Sequence, residues 1–124
     1  MLEERELTEQ IIGACIEVHK EVGPGLLESA YEHFLCHELS LRGLRVERQV
    51  KLPVVYKGVK IDCGYRIDVI VEGRVVLELK AVEKLAPIHE AQLISYLKLS
   101  GKRVGMIINF HVKKMIDGIV RRVV

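Results

Sequence analysis

The segment from Arg66 to Lys80, Arg-Ile-Asp-Val-Ile-Val-Glu-Gly-Arg-Val-Val-Leu-Glu-Leu-Lys, constrains the fold of this chain more than any other. It reads as a β-hairpin turning about Gly73. Pairing about that residue sets Ile67 opposite Leu79, Asp68 opposite Glu78, Val69 opposite Leu77 and Val71 opposite Val75. Side chains alternate across a strand, so Ile67, Val69, Val71, Val75, Leu77 and Leu79 share one face while Asp68, Glu78 and Lys80 share the other. A slip of one residue would scramble both faces. Glu72-Gly73-Arg74 supplies a three-residue turn, with Gly73 available for the positive φ such a turn needs.

Two carboxylates and an ammonium on one face require an explanation, because neighbouring acids repel and partly buried charge is costly. A divalent cation resolves the conflict. Hard oxygen donors suit Mg²⁺ or Mn²⁺, and Mg²⁺ takes only one or two protein carboxylates and keeps several waters. Lys80 points the same way as Glu78 and is placed to orient an attacking water. The bare spacing also fits an exposed strand face with an ordinary cross-strand salt-bridge cluster. The following segment adds weight to the metal reading. Pro87 fits the first turn of a helix and Gly101 its end, and within it His89, Gln92 and Tyr96 recur at helical spacing. Gln92 and Tyr96 project from one side, while Leu93, Ile94 and Leu97 offer an apolar side to a sheet.

Together, Asp68, Glu78-Leu79-Lys80 and Gln92-x3-Tyr96 resemble the PD-(D/E)xK nuclease superfamily, in particular its exonuclease-like branch with a Gln-x3-Tyr helix after the catalytic Lys. Upstream, Gly25-Leu26-Leu27-Glu28-Ser29-Ala30-Tyr31 resembles the Gly-x-x-Glu-x-x-Tyr signature of the small GxxExxY protein family within it. His89 to Leu97 and Ile107-Ile108-Asn109-Phe110 resemble that family's later blocks, so the likeness runs from about Gly23 to Phe110. Ile67 stands where the superfamily motif has Pro. The resemblance implies an α/β fold with a restriction-endonuclease-like core, a mixed β-sheet flanked by helices in the order α-α-β-β-β-α-β with a short tail.

For function, the resemblance implies metal-dependent hydrolysis of phosphodiester bonds in DNA, with RNA also open. Asp68 and Glu78 would bind Mg²⁺ or Mn²⁺ with the backbone carbonyl of Leu79. Lys80 would position the water or stabilise the transition state, Gln92 would hold site or substrate, and Tyr96 would support the same face or contact the phosphate. His89 is a further candidate for a substrate contact. The resemblance adds Glu28, which would complete the metal's ligand shell or hold one of its waters. On its own, Glu28 reads as a helix-start carboxylate favoured by the helix dipole by ~0.3–1 kcal/mol. Tyr31 reads as a core residue with a hydrogen-bonded hydroxyl. His33 and His37 are spaced to share a transition metal, but no third ligand is indicated. A nucleic-acid-binding or protein-interaction module with an idle site is the alternative function.

The 124 residues suffice for a single domain, expected over 1–124. With 49% hydrophobic and 29% charged residues the composition is that of a globular protein. No apolar run approaches the ~20 residues of a membrane span. The Met1-Leu2-Glu3-Glu4-Arg5 start lacks the features of a secretory signal, so a cytoplasmic location is expected. Cys15, Cys36 and Cys63 form no C-x-x-C pair and read as reduced, mostly buried thiols. A net charge of +2 and a pI near 8.5 decide nothing about nucleic acid by themselves. Three local clusters could meet phosphate: Arg42, Arg45 and Arg48; Lys98, Lys102 and Arg103; Lys113, Lys114, Arg121 and Arg122. Each also fits a solvated surface, and a homodimer would enlarge the surface available to a duplex.

The remaining elements follow from periodicity. A helix is expected from about Thr8, as N-cap, to Val22, with Gly23-Pro24 as stop. A second should run from about Leu26 to Leu41 with Leu27, Tyr31, Phe34, Leu35 and Leu39 apolar, ending at Gly43. Val46–Tyr56 reads as an edge or irregular strand because of Pro53, and Val59–Val71 as the next, with a bulge at Cys63-Gly64. Arg103–Phe110 reads as a buried strand that pairs parallel with the hairpin through a right-handed crossover. A helical turn near Met115 and a last strand, Ile119–Val124, complete the tail.

Overall fold

A computed structural model describes residues 3–124; Met1 and Leu2, the beginning of the segment read for a secretory signal, lie outside the described residues. The elements are α1 (Arg5–Val22), α2 (Glu28–Leu41), β1 (Val46–Lys51), β2 (Val54–Tyr56), β3 (Val59–Ile61), β4 (Arg66–Val71), β5 (Val75–Lys80), α3 (Pro87–Ser100), β6 (Val104–Asn109), a 3₁₀ turn (Met115–Gly118) and β7 (Ile119–Val123). Five strands form one mixed sheet in the order β1-β4-β5-β6-β7, antiparallel except for the parallel β5–β6 pair. This is the expected order and the restriction-endonuclease-like layout.

Strand alternation builds a core on each face of the sheet. Val69, Val71, Val75, Leu77, Leu79, Met106 and Ile108 pack with Leu7, Ile11, Cys15 and Val18 of α1 and Tyr31, Leu35 and Leu39 of α2. Ile70, Val76 and Ile107 pack on the other face with Leu93, Tyr96 and Leu97 of α3. A central strand covered on both sides has no polar face to spare, which is why Val75 through Leu79 are all buried. Gly105 lets α3 approach β6 closely: a Cβ there would meet Leu93 Cδ1 at 2.7 Å. The hydroxyl of buried Tyr31 donates to the Gly23 carbonyl at 2.5 Å, and its ring stacks on Phe110 with centroids 4.4 Å apart. Cys15 and Cys36 are buried and Cys63 is exposed, all three as free thiols. Burial pushes the Cys36 thiol up to about 11.

The hairpin register agrees with the sequence: Val69 pairs with Leu77, Ile70 with Val76 and Val71 with Val75. Glu72 joins Gly73 at positive φ, 54° and 65°. Its side chain is part of the reason, since Oε2 accepts the Arg45 amide while the Glu72 amide donates to the Arg45 carbonyl. Five expectations are corrected. Thr8 lies inside α1 and is buried, its hydroxyl bonded to the carbonyls of Glu4 and Arg5, so it does not cap the helix. Val46–Tyr56 breaks at Leu52-Pro53, and Val59–Val71 breaks between residues 62 and 65, where Asp62 Oδ1 accepts the Gly64 amide. Among the described residues, the pieces β2 and β3 pair only with each other, as a two-stranded ribbon beside the sheet. Ile67 packs in the α3-side core, not with Val69, because regular pairing with β5 ends before it. The second helix begins at Glu28, later than expected, so Leu27 precedes it; Leu27 and Phe34 are both exposed although they fall on the apolar pattern.

Candidate active site

The β4–β5 ladder runs from Val71–Val75 to Val69–Leu77. One step further, where the register sets Asp68 against Glu78, side chains take over from the backbone. The Asp68 amide donates to Glu78 Oε2 at 2.9 Å, and the Leu79 amide donates to Asp68 Oδ2 at 2.9 Å. Each carboxylate therefore spends one oxygen on the opposite strand's amide and holds the two strands at a fork. On the other flank of β4, the β1 register passes from Arg48–Val69 to Val50–Ile67 and skips Gln49, which has φ 49°. Asp68 thus sits where the sheet's regular pairing is interrupted on both sides.

Burial decides the electrostatics of this fork. Glu78 is 4% exposed. Loss of hydration, then repulsion from Asp68, pushes its carboxyl up to about 8, against the stabilising Asp68 amide and the Lys80 charge. Asp68 is raised for the same first reason, with the Leu79 amide, the Lys80 ammonium and a hydrogen bond from Gln49 acting against Glu32 repulsion. Lys80 follows Glu78 on β5 and is half-buried. Glu28 opens α2 and is exposed as a residue, yet protein around its carboxyl, and then repulsion from Asp68, raises its pKa while Lys80 lowers it. The helix start and the fork therefore face one electrostatic neighbourhood.

From the opposite face, α3 contributes Gln92 and Tyr96. The Gln92 amide donates to the Tyr96 hydroxyl at 3.0 Å. Tyr96 is buried, and its pKa is raised first by burial, with the Glu78 and Asp68 charges adding to it and the Gln92 bond opposing it. His89 acts locally, its Nδ1 accepting the Ala86 amide at 3.0 Å, which caps α3. The structure brings Asp68, Glu78, Lys80, Gln92 and Tyr96 to one end of the sheet, with Glu28 at the side.

Glu32, Arg48 and Gln49 were not singled out together by the sequence. Glu32 is 8% exposed. Arg48 donates to its Oε2 through Nε at 3.2 Å and Nη2 at 2.9 Å, and Gln49 Nε2 donates to its Oε1 at 2.7 Å. Arg48, expected among the cations that could meet phosphate, instead serves this buried acid. Other members of those clusters are also paired: Arg42 with Glu38, Arg103 with Glu3 and Arg122 with Glu90. The available signal was the i, i+4 spacing of Glu28 and Glu32, which puts both on one side of α2.

The donor set fits a hard divalent cation. Asp68 and Glu78 are two crowded, poorly hydrated carboxylates whose charged forms gain from a neighbouring positive ion. Among the described residues, no three His, Cys, Asp or Glu side chains converge on one point, so a cation here would draw on two carboxylates, main-chain oxygen and water. None of the helices of the described residues is long and apolar enough to cross a membrane.

A family model described as the PD-(D/E)XK nuclease superfamily matches residues 5–123, nearly the full chain. The chain matches no curated protein and no solved structure at a significant level.

Proposed function

Because the chain belongs to the PD-(D/E)XK nuclease superfamily, we propose that it is a metal-dependent nuclease hydrolysing phosphodiester bonds in DNA, within the small GxxExxY group. The crossed pair of Asp68 and Glu78, each pinned by the other strand's amide, is the observation that carries this reading. It makes a rigid anionic notch at the sheet's open end, with an ammonium beside it. Carboxylates fixed in this way can hold a cation without rearranging, and a cation and an ammonium so placed stabilise the negative charge that grows in the transition state.

Asp68 and Glu78, with the main-chain carbonyl of Leu79, would hold Mg²⁺ or Mn²⁺. Such an ion supplies Lewis-acid stabilisation of negative charge growing on the phosphate. Lys80 would donate hydrogen bonds that orient the attacking water and the phosphate oxygens. Glu28 accepts a hydrogen bond from solvent at the side of the notch and keeps it on the attacking side. The Tyr96 hydroxyl accepts from Gln92, which leaves its own proton free for a phosphate oxygen. Glu32, Arg48 and Gln49 hold the strand next to Asp68.

The test is incubation of the purified protein with labelled single-stranded, duplex and branched DNA in Mg²⁺ or Mn²⁺, beside Lys80→Ala and an EDTA control. Cleavage that vanishes in both controls supports the nuclease. Retained cleavage by a rigorously purified Asp68→Ala/Lys80→Ala protein removes the mechanism. Absence of cleavage together with absence of metal binding favours an interaction module on the same fold.

A further inference from the structure

Beside the notch lies a groove of about 480 Å³ between the β2–β3 ribbon and α3, within the roughly 300–1,000 Å³ range of small-ligand sites. Gln92 and Tyr96 line it, so it is continuous with the candidate active site. Tyr65 forms the ribbon-side wall, 46% exposed, with its ring centroid 5.9 Å from that of Tyr96 and tilted by 54°. Ile88, 69% exposed, forms the opposite lip, and Ala91 and Ser95 keep the helix surface between them low. An exposed aromatic face and an apolar lip flanking small side chains suit a flat ring, while the Gln92 amide offers polar contacts at its edge.

A second observation concerns charge. Lys51 and Arg66 are register partners at the base of the ribbon; their neighbours Val50, Leu52 and Ile67 pack on the α3 side, so both side chains leave the sheet on the face away from α3. Like charges directly opposite one another destabilise a sheet. Both residues are exposed, and among the described residues neither takes part in an ion pair. The neighbouring Tyr65 is tied to this strand pair, its carbonyl accepting the Leu52 amide at 2.9 Å. An anion is the natural complement to the two cations, on the face of the sheet opposite the groove.

We propose that this groove holds one unpaired nucleotide of the substrate, its base against Tyr65 and its edge toward the Gln92 amide. The proposal rests on the nuclease reading and narrows its substrate to strands with an unpaired nucleotide beside the scissile phosphate: single-stranded segments, overhangs or frayed ends. A base within a duplex is stacked on both faces and cannot offer one to a tyrosine without first leaving the stack. Stacking on an aromatic side chain is tolerant of sequence, so the preference is for strand state.

The test uses Lys80→Ala protein in EDTA, so that binding is read without cleavage. A short oligodeoxynucleotide containing 2-aminopurine is titrated as a single strand and as a blunt duplex, following anisotropy and the quenching that reports stacking. The single strand should bind at least roughly tenfold more tightly and be quenched. Tyr65→Ala should weaken it roughly tenfold, as expected for one stacked base, and abolish quenching, whereas Tyr65→Phe should retain both. Ser95→Trp, which fills the groove from an exposed position, should block the single strand and leave the weak duplex binding unchanged. Equal affinity for strand and duplex, or undiminished quenching in Tyr65→Ala and Ser95→Trp, would overturn the proposal. With Lys80 intact, cleavage that is the same in Tyr65→Ala as in the parent would sink the groove alone, whereas Tyr65-dependent binding without any cleavage would keep the groove and sink the nuclease.

Discussion

Replacing Glu78 by Gln separates the charge of the fork from its hydrogen bonding. The substituted side chain's carbonyl can still accept the Asp68 amide, a bond now made by Glu78 Oε2, but the desolvated anion is gone. Native Glu78 titrates at about 8 against an ordinary value of 4.5. Between those values the unfolded chain has released a proton that the native protein keeps, so stability falls as pH rises, and the loss levels off above about 8. At ~1.4 kcal/mol per pH unit the charge costs the native state at most about 5 kcal/mol. The new amide N–H atoms must be buried in place of the anion, which offsets about 1–2 kcal/mol. Glu78→Gln should therefore be neutral or slightly less stable than the parent at about pH 4.5, and more stable by about 2–4 kcal/mol at about pH 8.5. In a chain of this size that is a rise in Tm of roughly 10 °C. Urea unfolding in EDTA across this pH range is the assay. Adding Mg²⁺ at the alkaline end should stabilise the parent, by about 2.7 kcal/mol at roughly a hundred times Kd, and leave Glu78→Gln unmoved. A variant no more stable than the parent at that pH would refute the claim that this carboxyl is held charged only at a cost.

Three further substitutions probe the frame around the fork. Arg48→Met removes both donors to Glu32 Oε2 and leaves a buried acid with the Gln49 amide alone; urea unfolding at neutral pH should show a loss of about 1–3 kcal/mol. Gly118→Ala would set a Cβ 2.1 Å from the Asn109 carbonyl oxygen, and because the neighbour is backbone, thermal unfolding should show a loss of roughly 2 kcal/mol or more. Tyr31→Phe withdraws the hydroxyl that bonds the Gly23 carbonyl and accepts the Leu26 amide; the expected loss is about 1–2 kcal/mol in chemical denaturation.

What the sequence made legible is what local pattern controls. The hairpin register follows from two alternating runs about one glycine, and α3 is bounded by Pro87 and by Gly101 in the left-handed conformation. The unbroken apolar stretch in β6 follows from a strand covered on both faces. The β2–β3 ribbon was not legible, because Val55, Tyr56, Val59 and Ile61 carry strand-like side chains yet remain exposed. Propensity there reports strand conformation without reporting membership of the main sheet. Thr8 misled for a related reason: a hydroxyl that can cap a helix can equally bond carbonyls within it.

The cluster of Glu32, Arg48 and Gln49 shows a different limit. Its bonds join residues 16 and 17 positions apart, across an element boundary where no periodicity operates. Its place becomes intelligible only from the sheet. By register, Gln49, Asp68 and Glu78 lie at one level on three neighbouring strands, and at that level both ladders are interrupted. An interruption at the centre of a sheet leaves backbone amides to be satisfied. The carboxylates of Asp68 and Glu78 satisfy two of them, but they bring repulsion into a dry place. The Gln49 amide, with two N–H atoms and no charge, bonds Glu32 directly and also lowers the pKa of Asp68. Arg48 neutralises Glu32 from the other side. The fork is thus held together by the same groups that make it anionic, and removing its charge should strengthen the fold while emptying the notch of its chemistry.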